Sequence, residues 1–252
     1  FMNSIFVFLK KEKSLSIPTI LDKIGKEIVE PQLSFLDIIM DQSIGFGSFA
    51  IAPGAGNDKI PYYKDEESRN IVIADSRIDY KKELSDELNI GLENLESSSD
   101  SQLILKSYIK WGENCVRHLY GDFAFIIWDE KRNILFCARD HFGCRPLFYI
   151  NHRDYFAISS DLKYFKILPN FTYTLNDQYI MDSICSILST KSKSAFKYIY
   201  KLPPAHRITI SPDHKLRINK YWDLTVHKKY INLSEEQAII GLRKRFFEAV
   251  SQ

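Results

Sequence analysis

The stretch from Gly121 to Tyr149, GDFAFIIWDEKRNILFCARDHFGCRPLFY, restricts the folds open to this chain more than any other segment. Phe123–Trp128 is apolar at every position. A strand without polar alternation is one covered on both faces. The polar residues Asp129-Glu130-Lys131-Arg132-Asn133 interrupt the run and Ile134–Ala138 resumes it, which predicts a hairpin buried inside a layered protein. Covering a sheet on both sides takes a large core. The 252 residues, 45% hydrophobic and 13% aromatic, can supply one.

The rest of the chain repeats this hairpin grammar between a few helices. Ile5–Leu9 reads as a short buried strand, Thr19–Ile28 as a weakly periodic helix, and Gly45–Ile51 as a Gly-interrupted strand followed by a turn at residues 53–57. Ile60–Lys64 and Ile71–Ala74 form a hairpin around a charged loop, and Tyr80–Leu88 a helix. Ser99 with Gln102 three residues on is a capping-box pattern, and Leu103, Ile104, Tyr108 and Trp111 keep helical spacing up to Gly112. Cys115, Val116 and Leu119 continue as a short helical segment. Leu147–Ile150 with Tyr155–Ser159, and Arg207–Ser211 with Leu216–Tyr221, read as further hairpins, and Asn176–Leu188 as a helix. A second capping box, Ser234 with Gln237, precedes the amphipathic set Ile239, Leu242, Phe246 and Val250. The change of pattern at Tyr230 divides the chain. Residues 1–229 read as one domain, and residues 230–252 as a linker and the first helix of a further, missing domain whose surface would cover that apolar face.

Charge narrows the function classes. A formal net charge of +2 gives no electrostatic case for nucleic acid or for an anionic membrane surface. No run approaches the roughly 18 apolar residues of a membrane span, and the apolar start is too short for a signal peptide. The four cysteines form no CxxC pair and no His cluster completes a metal site, so no metal is expected and the cytoplasm is the expected compartment. Cys137 and Cys185 read as small core residues.

Seven local matches then occur in one order. Ile78 and Glu83-Leu84 fall in an "EIYNYREL"-like segment, and Ser99-Asp100 where "SDTE" stands. Trp111–Val116 is similar to "YGEDCV", Gly121–Asp129 to "GMFAFAIWD" and Arg139–Leu147 to "RDRFGIKPL". Leu202–His206 is similar to "LPPGH" and Tyr221-Trp222-Asp223 to "YWD". From about Ile71 onward the chain thus resembles the asparagine synthetase family in its N-terminal, class II glutamine amidotransferase-like domain. The resemblance implies an α+β fold: a four-layer α-β-β-α sandwich of two antiparallel sheets, like the N-terminal nucleophile hydrolases. The motif Arg139-Asp140-x-x-Gly143 with Pro146 reads as structural. Gly suits a turn of positive φ, Asp accepts backbone N–H groups, Arg forks onto a carboxylate or carbonyls, and Pro146 fixes the approach to the next strand.

Active members of the family carry a nucleophilic cysteine where this chain has Asn3. A side-chain amide has neither an ionisable thiol nor the nucleophilicity of one. Trimming Met2 and Asn3 would expose Ser4 as a hydroxyl nucleophile, but the sequence keeps both residues. The family's oxyanion-hole Asn-Gly falls on Asp75-Ser76, and a carboxylate there opposes a developing oxyanion. The "RLSI" segment that holds the glutamine carboxylate has no counterpart between Gly45 and Tyr63. Asp100 stands where the family binds the glutamine amine; alone, it reads as a cap of the helix at Ser99–Trp111, where the helix dipole favours a carboxylate. Asn3, Ser4, Asp75, Ser76 and Asp100 therefore form a vestigial glutamine pocket with no catalytic residue.

The resemblance implies a glutaminase-like but inactive domain of an ATP-dependent, amide- or isopeptide-forming ligase. Lasso-peptide macrocyclases and β-lactam synthetases are the branches that lack the cysteine. No cofactor is expected in this chain; ATP and Mg²⁺ belong to the C-terminal synthetase domain. Expected partners are that domain and, for a macrocyclase, a precursor peptide and its processing proteins. The alternatives are an asparagine synthetase fed by free ammonia, or a stand-alone small-molecule binding module.

Overall fold

Alternate residues of the two most apolar strands serve different cores. In β6 (Tyr120–Asp129), Ala124, Ile126 and Trp128 point between two sheets, while Phe123, Phe125 and Ile127 point the other way, toward helices. In β1 (Ser4–Lys10), Ile5, Val7 and Leu9 join the inter-sheet core, and Phe6 and Phe8 the opposite one. Neither strand has a wet face along these residues, which is why both read as unbroken apolar runs. Each phenylalanine buried this way is worth about 2 kcal/mol.

The computed structural model describes residues 4–12, 15–27, 33–40, 43–51, 62–91, 98–187 and 192–250. After β1 come α1 (Ile17–Glu27), β2 (Leu33–Met40), β3 (Ile44–Ile51), β4 (Tyr62–Lys64), β5 (Ile71–Asp79), α2 (Lys81–Leu88) and α3 (Asp100–Trp111). Then follow a 3-10 helix Gly112–Arg117, β6, β7 (Ile134–Arg139), β8 (Phe148–Asn151), β9 (Tyr155–Ser159) and a 3-10 helix Leu162–Ile167. The chain continues with α4 (Asp177–Ile184), β10 (Tyr200–Lys201), β11 (His206–Ile210), β12 (Leu216–Lys220), a 3-10 turn Lys228–Tyr230 and α5 (Glu235–Val250).

These strands make two six-stranded antiparallel sheets, ordered β10-β8-β9-β1-β3-β2 and β12-β11-β7-β6-β5-β4. Helices α2 and α3 cover the outside of the second sheet through Leu84, Leu103, Ile104 and Tyr108. Helix α1 covers the outside of the first through Ile17, Ile20, Leu21 and Ile24, alongside Tyr164 and Phe165. The result is the α-β-β-α sandwich expected from the sequence.

Local signals place the helix ends. Ser99 is the N-cap of α3, its hydroxyl accepting from the Gln102 N–H at 3.2 Å, and Gly112 closes the helix with φ 57°. Around Ser234 the capping box is reciprocal: Ser234 N donates to Gln237 Oε1 at 3.1 Å and Gln237 N to Ser234 Oγ at 3.2 Å. Helix α5 buries no residue, and its apolar side chains, Ile239, Leu242, Phe246 and Val250 included, are exposed.

Three expectations change. Cys137 is fully buried, but Cys185 is exposed, because α4 stops at Ile184 and buries nothing. The stop itself is a left-handed Ser186, φ 56°, so the expected helix to Leu188 is shorter; Leu188 lies outside the described residues. Leu33–Met40 is an edge strand paired along its whole length with β3, an element the sequence reading does not contain. The turn expected at residues 53–57 falls outside the described residues.

Candidate functional site

Arg139 and Asp140 stand at the end of β7, both almost fully buried, and together they organise the loop to β8. The Arg139 guanidinium donates to the carbonyls of Arg145 at 2.6 Å, of Leu202 at 2.7 Å, and of Gly143. The Asp140 carboxylate accepts from the N–H groups of Phe142 (3.1 Å), Cys144 (2.9 Å) and Arg145 (3.0 Å). Its main chain reaches two more segments, donating to Phe123 O and accepting from Ala205 N, each at 2.8 Å. The Tyr221 hydroxyl completes the web by donating to Arg139 O at 2.7 Å. Burial lowers the Arg139 pKa, against the pull of Asp140, but a guanidinium stays charged. Gly143 has φ 71°, and a Cβ there would stand 2.8 Å from Arg139 Cζ and 2.9 Å from Pro204 Cγ. Pro146 then leads into the fully buried Leu147. Arg139 and Asp140 spend their hydrogen bonds on the protein's own backbone, as a structural clamp does.

The positions that the resemblance assigns to a glutamine pocket divide between the sheets. Asn3 lies outside the described residues. Ser4 opens β1 opposite Phe49 in the neighbouring strand, and the strand start is held by Ser160 and Ser159: Ile5 N donates to Ser160 Oγ at 3.0 Å, and Ser159 Oγ to Ile5 O at 2.8 Å. Asp75 and Ser76 lie side by side on β5, across from Ala124 and Phe123. Asp75 is 2% exposed, and Nη1 of Arg145 stands 3.5 Å from both its carboxylate oxygens. Asp100 occupies the first turn of α3, where the helix dipole favours it, but its oxygens turn to neighbouring elements. Oδ2 accepts from Ile78 N at 3.1 Å, and Oδ1 is 2.8 Å from Lys81 Nζ. Arg77, between Ser76 and Ile78, pairs outward with Asp79 and Asp122. The structure thus gathers Asp75, Ser76 and Asp100 along β5, with Ser4 on the other sheet.

Arg145, Ser159 and Ser160 do not stand out in the sequence as site residues. The signal for Arg145 was available, since it fills the cation position of the "RDRFGIKPL"-like segment. The two serines carry no pattern that separates them from an ordinary strand end. Among the described residues, no group of three or more His, Cys, Asp or Glu could hold a metal ion, and no helix is long and apolar enough to cross a membrane.

Two packed antiparallel sheets, an N-terminal strand set centrally in one of them, and the Arg-Asp clamp at the end of β7 define an amidotransferase-type α-β-β-α domain. Residues 37–222 match the model of the glutamine amidotransferase domain, and the chain belongs to that family. It is related to asparagine synthetases: it is 34% identical over 183 residues to asparagine synthetase [glutamine-hydrolyzing] 3 of Bacillus subtilis, covering 72% of this chain and 29% of that protein. It is also 26% identical over 254 residues to the amidase chry2 of Gibberella zeae, covering 92% of this chain and 36% of that one. The chain therefore spans about a third of the length of these curated relatives. Among solved structures it is similar to the glutamine phosphoribosylpyrophosphate amidotransferase of B. subtilis, with a TM-score of 0.55 at 12% identity, covering 88% of this chain and 50% of that one. At that identity the likeness speaks for the fold alone. The family match begins at residue 37, well ahead of Ile71, so it takes in the second half of β2 and all of β3, which the motif resemblance leaves out.

Proposed function

We propose that this amidotransferase domain does not hydrolyse glutamine and serves as the scaffold of an ATP-dependent ligase related to asparagine synthetase. That ligase joins a carboxylate to an amine as an amide or isopeptide bond, and a lasso-peptide macrocyclase is the favoured branch. The observation that carries the reading is the buried Asp75 carboxylate, with Arg145 beside it, at the position that the resemblance gives to an oxyanion donor. Stabilising a tetrahedral oxyanion takes N–H donors aimed at it, and the loss of one such donor costs on the order of 100-fold in rate. A carboxylate at the same place adds repulsion to that loss. Asn3, two residues ahead of Ile5 in β1, supports the reading from the other side, because an amide cannot attack as a thiolate does.

Helix α5 supports the scaffold role. Ile239, Leu242, Phe246 and Val250 offer an apolar face for the synthetase domain of the same protein, which would bind ATP and Mg²⁺. A precursor peptide and its processing proteins would be the further partners, in the cytoplasm. The experiment is a glutamate-release assay on the purified chain with glutamine. Release at the buffer rate is expected, and turnover above it overturns the reading. The likeness to asparagine synthetase 3 favours a second reading, in which the parent enzyme makes asparagine from free ammonia. Ammonium-dependent asparagine formation by the parent protein, with no glutamine-dependent formation, would select it.

A further inference from the structure

A cavity of about 360 Å³ opens on the outer side of the clamp, lined by Arg117, Tyr120, His141, Tyr221, Trp222 and Asp223. That volume lies at the small end of the range for small-molecule sites, about 300–1,000 Å³. Its walls are aromatic. The His141 ring lies nearly parallel to Tyr120, with centroids 6.3 Å apart, and meets Trp222 edge-to-face at 5.1 Å and Tyr221 at 5.4 Å. Phe142, 70% exposed, extends the surface by packing on Trp222 at 5.5 Å.

The polar groups of this cavity are unevenly used. Asp223 is already neutralised by Lys220 at 2.6 Å. Burial holds the His141 pKa below its ordinary value, so the ring is neutral near pH 7, and its nitrogens have no hydrogen-bond partner among the described residues. The exposed Arg117 guanidinium likewise has no ion pair or hydrogen bond among the described residues. One free cation, one uncommitted imidazole and flat apolar walls are therefore presented together. A guanidinium takes a carboxylate through two parallel hydrogen bonds, and an aromatic ring is best received by other rings at offset or edge-on angles.

We propose that this cavity is a binding site for a small aromatic carboxylate, with its ring against Trp222 and Tyr120 and its carboxylate on Arg117. The site does not depend on whether the domain hydrolyses glutamine. Its test is titration of the 252-residue chain with benzoate, read at the Trp222 indole N–H resonance, which is assigned by its loss in Trp222→Phe. A saturable shift is expected. Arg117→Gln, at an exposed position where folding is insensitive, should weaken binding by about tenfold or more. Benzamide, which keeps the ring without the charge, and cyclohexanecarboxylate, which keeps the charge without the ring, should each bind more weakly than benzoate. No saturation below about 20 mM benzoate, or equal affinity in Arg117→Gln, would overturn the proposal. Glutamate release is not read, so a hydrolytically active chain would leave this result standing.

Discussion

Arg145 and Asp75 face each other from different parts of the chain: Nη1 of the guanidinium lies 3.5 Å from each oxygen of a carboxylate that is 2% exposed. The backbone of Arg145 is clamped at both polar ends, its N–H on Asp140 and its carbonyl on Arg139. The side chain is therefore delivered to Asp75 by a rigid loop. Removing the cation leaves a buried negative charge, whereas removing the carboxylate leaves a less buried positive one. Arg145→Gln should therefore cost more stability than Asp75→Asn, about 2 against about 1 kcal/mol, with a double variant less costly than the sum. Urea midpoints of the three variants check the order.

The same carboxylate bears on any attempt to restore chemistry. Asn3→Cys with a processed terminus supplies a thiol but keeps Asp75 where the proposed reading puts the oxyanion donor. No glutamate release is expected from this variant. Robust turnover would mean that Asp75 is not where the tetrahedral oxygen forms.

Gly143→Ala should be costly for two reasons: a positive φ, and a methyl within 3 Å of Arg139 and Pro204. Gly112→Ala shares the first reason only, since nothing lies within 4 Å of its Cβ position. A loss of about 2 kcal/mol or more is expected for the former and about 1 kcal/mol for the latter. Thermal unfolding of the pair separates strain from collision.

Thiol labelling should split the cysteines evenly. Cys115 and Cys137 are enclosed and burial pushes their thiols upward, so they should stay unmodified until the chain unfolds. Cys144 and Cys185 are exposed and should take iodoacetamide in the native state. Partial burial and the neighbouring Asp122 and Asp140 raise the Cys144 pKa, so its rate should still be climbing above pH 9. Peptide mass spectrometry after timed labelling reads all four.

His141 gives the fold a defined pH response. Burial depresses its pKa below the ordinary value of about 6.5, against a smaller opposing pull from Asp140. Above that value both folded and unfolded chains carry the neutral ring, and its contribution to stability is complete. As pH falls below it the unfolded chain takes up a proton first, so stability drops until the folded ring also titrates. His141→Phe should flatten this part of the profile, measured as the difference in Tm between about pH 7.5 and about pH 5.5.

What could be read from the sequence was set by how local its cause is. The strand Phe123–Trp128 and the caps at Ser99 and Ser234 depend on neighbours within a few residues, and each has its expected form. Strand β2 is different. Its residues LSFLDIIM carry apolar density without a clean period, and their pairing depends on β3. Cys185 misled because an apolar neighbourhood in sequence, Ile184 and Ile187, proved to be an exposed one in space. The Asp75–Arg145 pair spans 70 residues, and no local pattern announces such a meeting.

The place of β1 has a consequence for the order in which the molecule can assemble. Its strand sits between β3 and β9, and Ser160, which holds Ile5, is synthesised 155 residues later. The β6-β7 ribbon, by contrast, closes over the short turn at residues 130–133. On a translating ribosome that ribbon can form while one edge of β1 still awaits a partner, because distant pairings carry the larger loop-closure cost. Pulsed amide exchange during refolding should therefore protect Phe125 and Ile127 before Phe6 and Phe8, and the reverse sequence would refute this order.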